Sequence, residues 1–463
     1  MALPRIDFGV GREERLPAIL LLIFFVALCF VGGASRDDVP AQTVIRACAV
    51  LLMLVQVIFG QLPDLRRYKA CVLLLASMIA LAVMQLIPLP PAVWNALPGR
   101  SIISTSPLGA GGWRPLSLVP DAGWNALCSL LIPACVVVLL SSLRTTTVGR
   151  VQYLMIGVAI FSALLALLQA AGSSPGNPLI NGSTTDYAGV FANRNHQALL
   201  LAIGIGLAWF WGVRGGRTWR NRRLWLAIGV VLLLLVSILV TGSRAGVVLG
   251  GLAVVVGPIV ALSGRTSRSR TRPDVVIWLV VSLAMLGGVV VLSVYSGRAA
   301  SLDRAAIITI DDDFRLRSFS TAWEVAKTYF PLGAGLGSFD TVFRIAEPFS
   351  LLEPTYLNHA HDDLLETIIE TGIFGPVIFL CAVIWAVRRI VVTASQGGET
   401  ARVCRMGALI FALVIIASLS DYPARTPMVM AFLAIAAAWL TGLPYGDGRT
   451  ANVGALPVRP DSL

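Results

Sequence analysis

Apolar residues dominate this chain in long blocks separated by short polar turns. Stretches near 17–34, 41–60, 70–88, 125–143, 151–172, 196–213, 224–241, 245–262, 275–295, 364–387, 404–420 and 426–442 each hold close to the length that crosses the hydrocarbon of a bilayer, roughly 20 residues for about 30 Å. Inside lipid, every backbone N–H and C=O has to be satisfied within the segment, so each stretch is predicted to be a helix. The pattern therefore predicts an all-α, polytopic membrane protein with about twelve transmembrane helices. It divides into helices 1–5 (1–172), helices 6–9 with their outer turns (173–295), a large loop (296–363), helices 10–12 (364–442) and a disordered tail (443–463). Within the loop, residues from Arg315 to Tyr329 fit an amphipathic helix with Phe319, Trp323 and Ala326 along one side. Pro331 ends it, and the run from Gly333 to Gly337 reads as a flexible turn. No solenoid repeat or low-complexity domain interrupts this plan.

Composition agrees with the pattern. Hydrophobic residues are 56% of 463 and charged residues 13%, about half the share that a soluble protein carries. The first apolar run is read as a membrane helix and not as a signal peptide, because no small-residue cleavage pattern follows it. The net charge of +11 could suggest nucleic acid, but most of the Lys and Arg lie in alternate short loops. They set orientation there by the positive-inside rule, with both termini cytoplasmic and the 296–363 loop facing outward. Basic tracts such as Gly264–Arg270 lack the interleaved aromatics of a base-stacking surface, so no nucleic-acid partner is expected. Seven cysteines form no CxxC pair, which argues against a zinc site or a disulfide framework.

The chemistry gathers where polar loop meets apolar helix. The chain has only three histidines, and all of them mark such junctions: His196 in Asn193-Arg194-Asn195-His196, and His359 and His361 in Asn358-His359-Ala360-His361-Asp362-Asp363. Histidine titrates near neutral pH and suits general acid–base work. His359 and His361 are two apart and do not share a helix face; Asp362 or Asp363 is expected to cap a helix beginning near Leu364. Without an HExxH pattern or a third spaced ligand, no metal is expected. Arg244, in Thr241-Gly242-Ser243-Arg244-Ala245-Gly246, interrupts two apolar runs. Its planar fork suits phosphate oxygens, whereas the plainer account is a snorkelling arginine paired with a carboxylate. Arg194 carries the same two readings beside helix-capping asparagines. Arg315 and Arg317 follow three aspartates, so surface ion pairing accounts for them as readily as ligand binding does. The Gly333–Gly337 turn is not a nucleotide loop, since no Lys-Ser/Thr follows it.

Taken in order, Gly189–His196, Ser243–Gly246, Pro331–Phe339, His359–Glu366 and Glu370–Gly375 resemble the bacterial O-antigen ligase and polymerase superfamily of integral membrane glycosyltransferases. The resemblance covers residues 185–390. It implies a GT-C-like helical enzyme of the inner membrane, with its active site in the periplasm and neither cofactor nor metal. The implied donor is an undecaprenyl-diphosphate-linked glycan, and the implied acceptor is lipid A–core or a growing polysaccharide, with membrane lipids around the carrier. By the same resemblance Arg244 and Arg315 or Arg317 hold the diphosphate, and Arg194, from its own position at a helix start, is expected to join them. His361, with His359 as second candidate, activates the acceptor hydroxyl. Asn193, Asn195, His196, Ser243 and Asp362 support them, Asp362 standing where the family usually has Asn. A repeat-unit polymerase is the alternative within the family, and a polysaccharide-lipid flippase the alternative outside it.

Overall fold

A computed structural model of the chain describes residues 11–36, 38–104, 111–172, 177, 179–180, 187–214, 217–263, 287–288, 310–352, 357–394 and 398–441. The expected span at 275–295 and the tail at 443–463 lie outside the described residues, apart from Gly287 and Gly288. The helices are α1 (Arg15–Val31), α2 (Pro40–Phe59), α3 (Lys69–Leu86), α4 (Pro91–Asn95), α5 (Ser101–Ser104), α6 (Pro120–Ser129), α7 (Leu131–Ser141), α8 (Thr145–Arg150) and α9 (Gln152–Ala170). They continue with α10 (Arg194–Gly212), α11 (Arg217–Thr241), α12 (Arg244–Leu262), α13 (Ile310–Tyr329), α14 (Phe339–Ala346), α15 (Asp363–Thr371), α16 (Phe374–Ala394), α17 (Gly398–Ser418) and α18 (Pro427–Leu440). The only β structure among the described residues is a two-residue pair, β1 (Pro88–Leu89) against β2 (Arg114–Pro115).

Among the described residues, eight helical segments are long and apolar enough to cross a bilayer, and two shorter apolar helices, α1 and α18, accompany them. The protein is an all-α, multi-pass membrane protein. At its centre lies α10, buried along nearly its whole length and packed against α9, α11, α12 and α17. The outer helices instead expose large apolar side chains such as Leu51, Phe59, Leu380 and Ile384, as surfaces that meet lipid must.

A second, smaller core joins α13, α14 and α15. It contains Ala322, Val325, Ala326, Tyr329, Phe339, Phe343, Leu365 and Ile369. Here two expectations need correction. The buried stripe of α13 runs through Ser318, Ala322, Val325, Ala326 and Tyr329, while Phe319 and Trp323 are exposed. Small residues on the inner face let α15 approach closely, so the bulky aromatics are left outside. Secondly, the span expected at 364–387 is two helices. Gly372, at φ +60°, separates α15 from α16, and a Cβ there would lie 1.9 Å from the carbonyl oxygen of Pro331. Only glycine tolerates both that backbone conformation and that contact. The membrane-crossing helix starts at Phe374, and α15 belongs to the smaller core.

The glycine turn is also not loose. Gly335 N–H donates to the Glu370 carbonyl (2.9 Å), Leu336 N–H to Gln85 Oε1 (3.0 Å), and Gly337 N–H to Glu370 Oε1 (3.0 Å). Its amides are spent on α3 and α15, which fixes α15 against the membrane bundle.

Candidate functional site

Helix starts build the site. Asn193 caps α10, its Oδ1 accepting from Asn195 N–H at 2.8 Å, and Ser243 caps α12, its Oγ accepting from Gly246 N–H at 2.9 Å. Ser243 Oγ–H also donates to Asn195 Oδ1 at 2.7 Å, so the two helix starts are tied together. Gly246 permits this approach, since a Cβ there would lie 2.4 Å from Ala198 Cβ. Arg194 and Arg244 are the first residues of these helices, both half-buried.

Asp421, in the turn between α17 and α18, is the centre of the first cluster. It is 2% exposed. The amides of Asn193 and Asn195 donate to its Oδ2 at 3.1 and 2.7 Å, and Tyr422 N–H donates to Oδ1 at 2.9 Å. His196 Nε2 and His361 Nδ1 stand 3.6 and 3.7 Å from the same Oδ1, within ion-pair range but beyond hydrogen-bond length. Burial pushes the Asp421 pKa up, but the two imidazoles outweigh it and hold the group well below the usual carboxylate range. An ionised carboxylate is thus kept in a site that would expel an unpaired one.

Tyr422 joins this cluster to the second. Its ring centroid lies 4.1 Å from that of His359, 5.2 Å from His361 and 5.4 Å from His196. All three histidines of the chain therefore surround one tyrosine. His361 adopts φ +52°, the only non-glycine residue with positive φ among those described. Histidine occupies this region more often than bulky residues do, yet the surroundings must still hold it there. Asp362 then caps α15 as expected, accepting from the N–H groups of Leu364 (2.9 Å) and Leu365 (3.1 Å).

The second cluster is centred on Arg425. Its guanidinium lies 3.0 Å from Glu366, 3.2 Å from Glu370 and 3.6 Å from Asp363. Glu366 Oε1 meets His359 Nδ1 at 2.7 Å, its Oε2 accepts from Ala360 N–H at 2.8 Å, and Ser418 Oγ–H donates to Asp363 at 2.7 Å. Burial raises the Glu366 pKa, but Arg425 and His359 more than reverse this and keep it ionised. For Glu370, burial and the repulsion of Glu366 prevail over Arg425 and raise it. Asp363 is pushed up to about 6, by burial first, with Arg425 and the Ser418 hydrogen bond pulling back.

The structure thus brings His361, His359, His196, Asn193, Asn195, Ser243 and Asp362 together, with Arg194 and Arg244 at the adjoining helix starts. Arg317 is exposed on α13, about 18 Å along the helix axis before Tyr329, and enters neither cluster through the contacts above. Arg315 is on the same helix, and its side chain lies outside the described residues. Sequence reasoning missed Asp421, Tyr422 and Arg425, as well as the role of Glu370. The run Ser420-Asp421-Tyr422-Pro423-Ala424-Arg425 between two apolar helices carried the same signal that singled out Arg244: charge in a short turn at the membrane surface. Among the described residues no group of His, Cys, Asp and Glu has an arrangement that could hold a metal ion.

No curated protein matches the chain. A family model described as O-antigen ligase matches residues 229–380, a stretch containing Ser243, Arg244, both loop histidines, Glu366 and Glu370. The fold closes that stretch with two pieces from outside it, Asn193–His196 and Asp421–Arg425. Over residues 229–380, a third of its length, this multi-pass membrane protein is similar to the O-antigen ligase family, whose members are glycosyltransferase-type enzymes.

Proposed function

We propose that this protein moves a glycan from an undecaprenyl diphosphate carrier to an acceptor hydroxyl, at the periplasmic face of a bacterial inner membrane. The observation that carries this reading is the gathering of all three histidines around Tyr422, two of them facing an ionised Asp421, beside two helix starts headed by Arg194 and Arg244. A helix N-terminus headed by a guanidinium attracts phosphate oxygens, and the fork of arginine matches them in pairs. Arg194 and Arg244, joined by Arg315 or Arg317 from α13, hold the diphosphate and stabilise the charge that grows on it as the glycosidic bond breaks. His361 or His359 takes the proton of the attacking hydroxyl. Asp421 holds Asn193, Asn195, His196 and His361 around one carboxylate and fixes the geometry of the pocket wall. The carrier's diphosphate supplies the driving force, so no nucleotide is consumed. The Lys/Arg distribution supports the outward orientation.

Ligation of a finished glycan to lipid A–core is the favoured reaction, and repeat-unit polymerisation is its close rival. A flippase reading fits less well. Such proteins keep their unusual polar groups near the bilayer midplane, whereas these gather at helix ends. The deciding experiment is a deletion strain complemented with the wild type or with His361→Ala. Lost attachment with accumulated lipid-linked polymer identifies a ligase, and single repeat units identify a polymerase. Unchanged glycan on every acceptor in the deletion strain would overturn both.

A further inference from the structure

His359 differs from the other two histidines in one respect: among the described residues it alone has a ring nitrogen hydrogen-bonded to a protein acceptor. Its Nδ1 lies 2.7 Å from Glu366 Oε1, whereas His361 Nδ1 and both ring nitrogens of His196 are buried without a hydrogen bond. The partner is itself fixed. Glu366 is fully buried, receives Ala360 N–H on its other oxygen, and lies 3.0 Å from Arg425. Arg425 in turn binds Glu370, whose Oε1 holds the glycine turn through Gly337 N–H. The ring of Tyr422 packs on His359 at 4.1 Å and limits its tilt.

An ionised carboxylate only accepts hydrogen bonds, so the nitrogen facing it must carry the proton. In a neutral imidazole this leaves a lone pair on the other nitrogen. We propose that Glu366, anchored by Arg425, is a positioning residue that keeps the proton of His359 on Nδ1 and so makes Nε2 the proton acceptor of the site. This rests on the glycan-transfer reading and assigns the step within it. The hydroxyl oxygen bonds to the anomeric carbon, and the bond from that carbon to the diphosphate oxygen breaks, its electron pair leaving with the diphosphate. The hydroxyl proton passes to His359 Nε2. The resulting imidazolium is neutralised by Glu366, an arrangement in which a base is oriented by a buried carboxylate. His361 and Asp421 then shape the pocket and hold the acceptor. The contact with Ala360 alone could be a helix-start device, since Glu366 sits in the first turn of α15. It does not account for the contact with the imidazole.

The test begins without substrate. With three histidines, ¹⁵N-histidine-labelled protein in nanodiscs gives three imidazole spin systems, which His359→Gln and His361→Gln assign. In the wild type His359 is expected with its proton on Nδ1; a proton on Nε2 overturns the proposal. Glu366→Gln presents one oxygen where two were used. With that oxygen taken by Ala360 N–H, its amide faces Nδ1 and drives the proton to Nε2. Turnover is then measured with lipid-linked glycan extracted from the host strain. Glu366→Gln is expected to lower kcat about 10²–10⁴-fold, the range of general-base contributions, with KM changed less than threefold. In a His359→Gln background it should cost nothing further. A second loss as large as the first would mark Glu366 as a structural residue and overturn the proposal. Absence of transfer by the wild type would sink the glycan-transfer reading, while the tautomer measurement would still decide the role of Glu366.

Discussion

Replacing Asp363 with Asn isolates a carboxyl whose protonation the fold moves toward neutral pH. Its side chain, 17% exposed, lies 3.6 Å from Arg425 and accepts from Ser418 at 2.7 Å. Burial, helped by Glu366 and Asp421, pushes its pKa from 3.8 to about 6. At ~1.4 kcal/mol per tenfold, keeping it ionised in the folded protein costs about 3 kcal/mol. Because the folded value is raised, the folded state binds more protons than the unfolded chain between about pH 4 and 6. Stability from this group is therefore greatest below pH 4, falls as pH rises to 6, and stays level above. Asparagine resembles the protonated acid and can still accept from Ser418. The variant should match the wild type near pH 4 and exceed it by about 2–3 kcal/mol at pH 7.5, a few degrees of melting temperature in a protein of this size. Thermal unfolding of both proteins in one detergent from pH 4.5 to 8 reads this directly. A difference that is flat across that range, or a variant less stable at pH 7.5, would refute the reasoning.

Asp421→Asn keeps the volume but removes the charge that His196 and His361 face; transfer should fall at least 10²-fold while the protein still purifies as a folded monodisperse species. Gly372→Ala must relieve a 1.9 Å approach to Pro331 at a positive φ, so a loss of several kcal/mol is expected, seen as reduced yield and an earlier melting transition. Ser243→Ala removes the cap of α12 and the tie to Asn195 and should cost about 1–2 kcal/mol in the same melting assay. Truncating Arg244 to Ala should raise KM for the lipid-linked donor and lower kcat together, the outcome expected if, as proposed, Arg244 holds the diphosphate in the ground state and more tightly in the transition state.

Much of the fold could be read from hydropathy, because a span is set by length and apolarity alone. What could not be read depended on contacts distant in sequence. The break at Gly372 hides inside an apolar run; only the pressure of Pro331 shows that α15 and α16 are separate. The inner face of α13 does not follow its large aromatics, because close packing on α15 selects Ala322 and Ala326 instead. In the site, the asparagine and serine caps and the histidine-bearing segment were legible as local signals at helix starts. Asp421 and Arg425 show locally only as charges in a short turn, since their roles arise only when the turn after α17 folds back against α10 and α15. Nothing near them in the chain names their partners.

The placement of Asp421 and Arg425 bears on how the molecule is made. Residues that organise both clusters sit on the hairpin of α17 and α18, inserted after every other described helix. A ribosome-bound chain that has released α1 through α16 therefore holds its histidines and arginines before the residues that gather them have arrived. The cluster is completed in one late event, when that final hairpin enters the bilayer and supplies the missing carboxylate and guanidinium. Co-expression of two fragments divided between α16 and α17 would recover function by the same route.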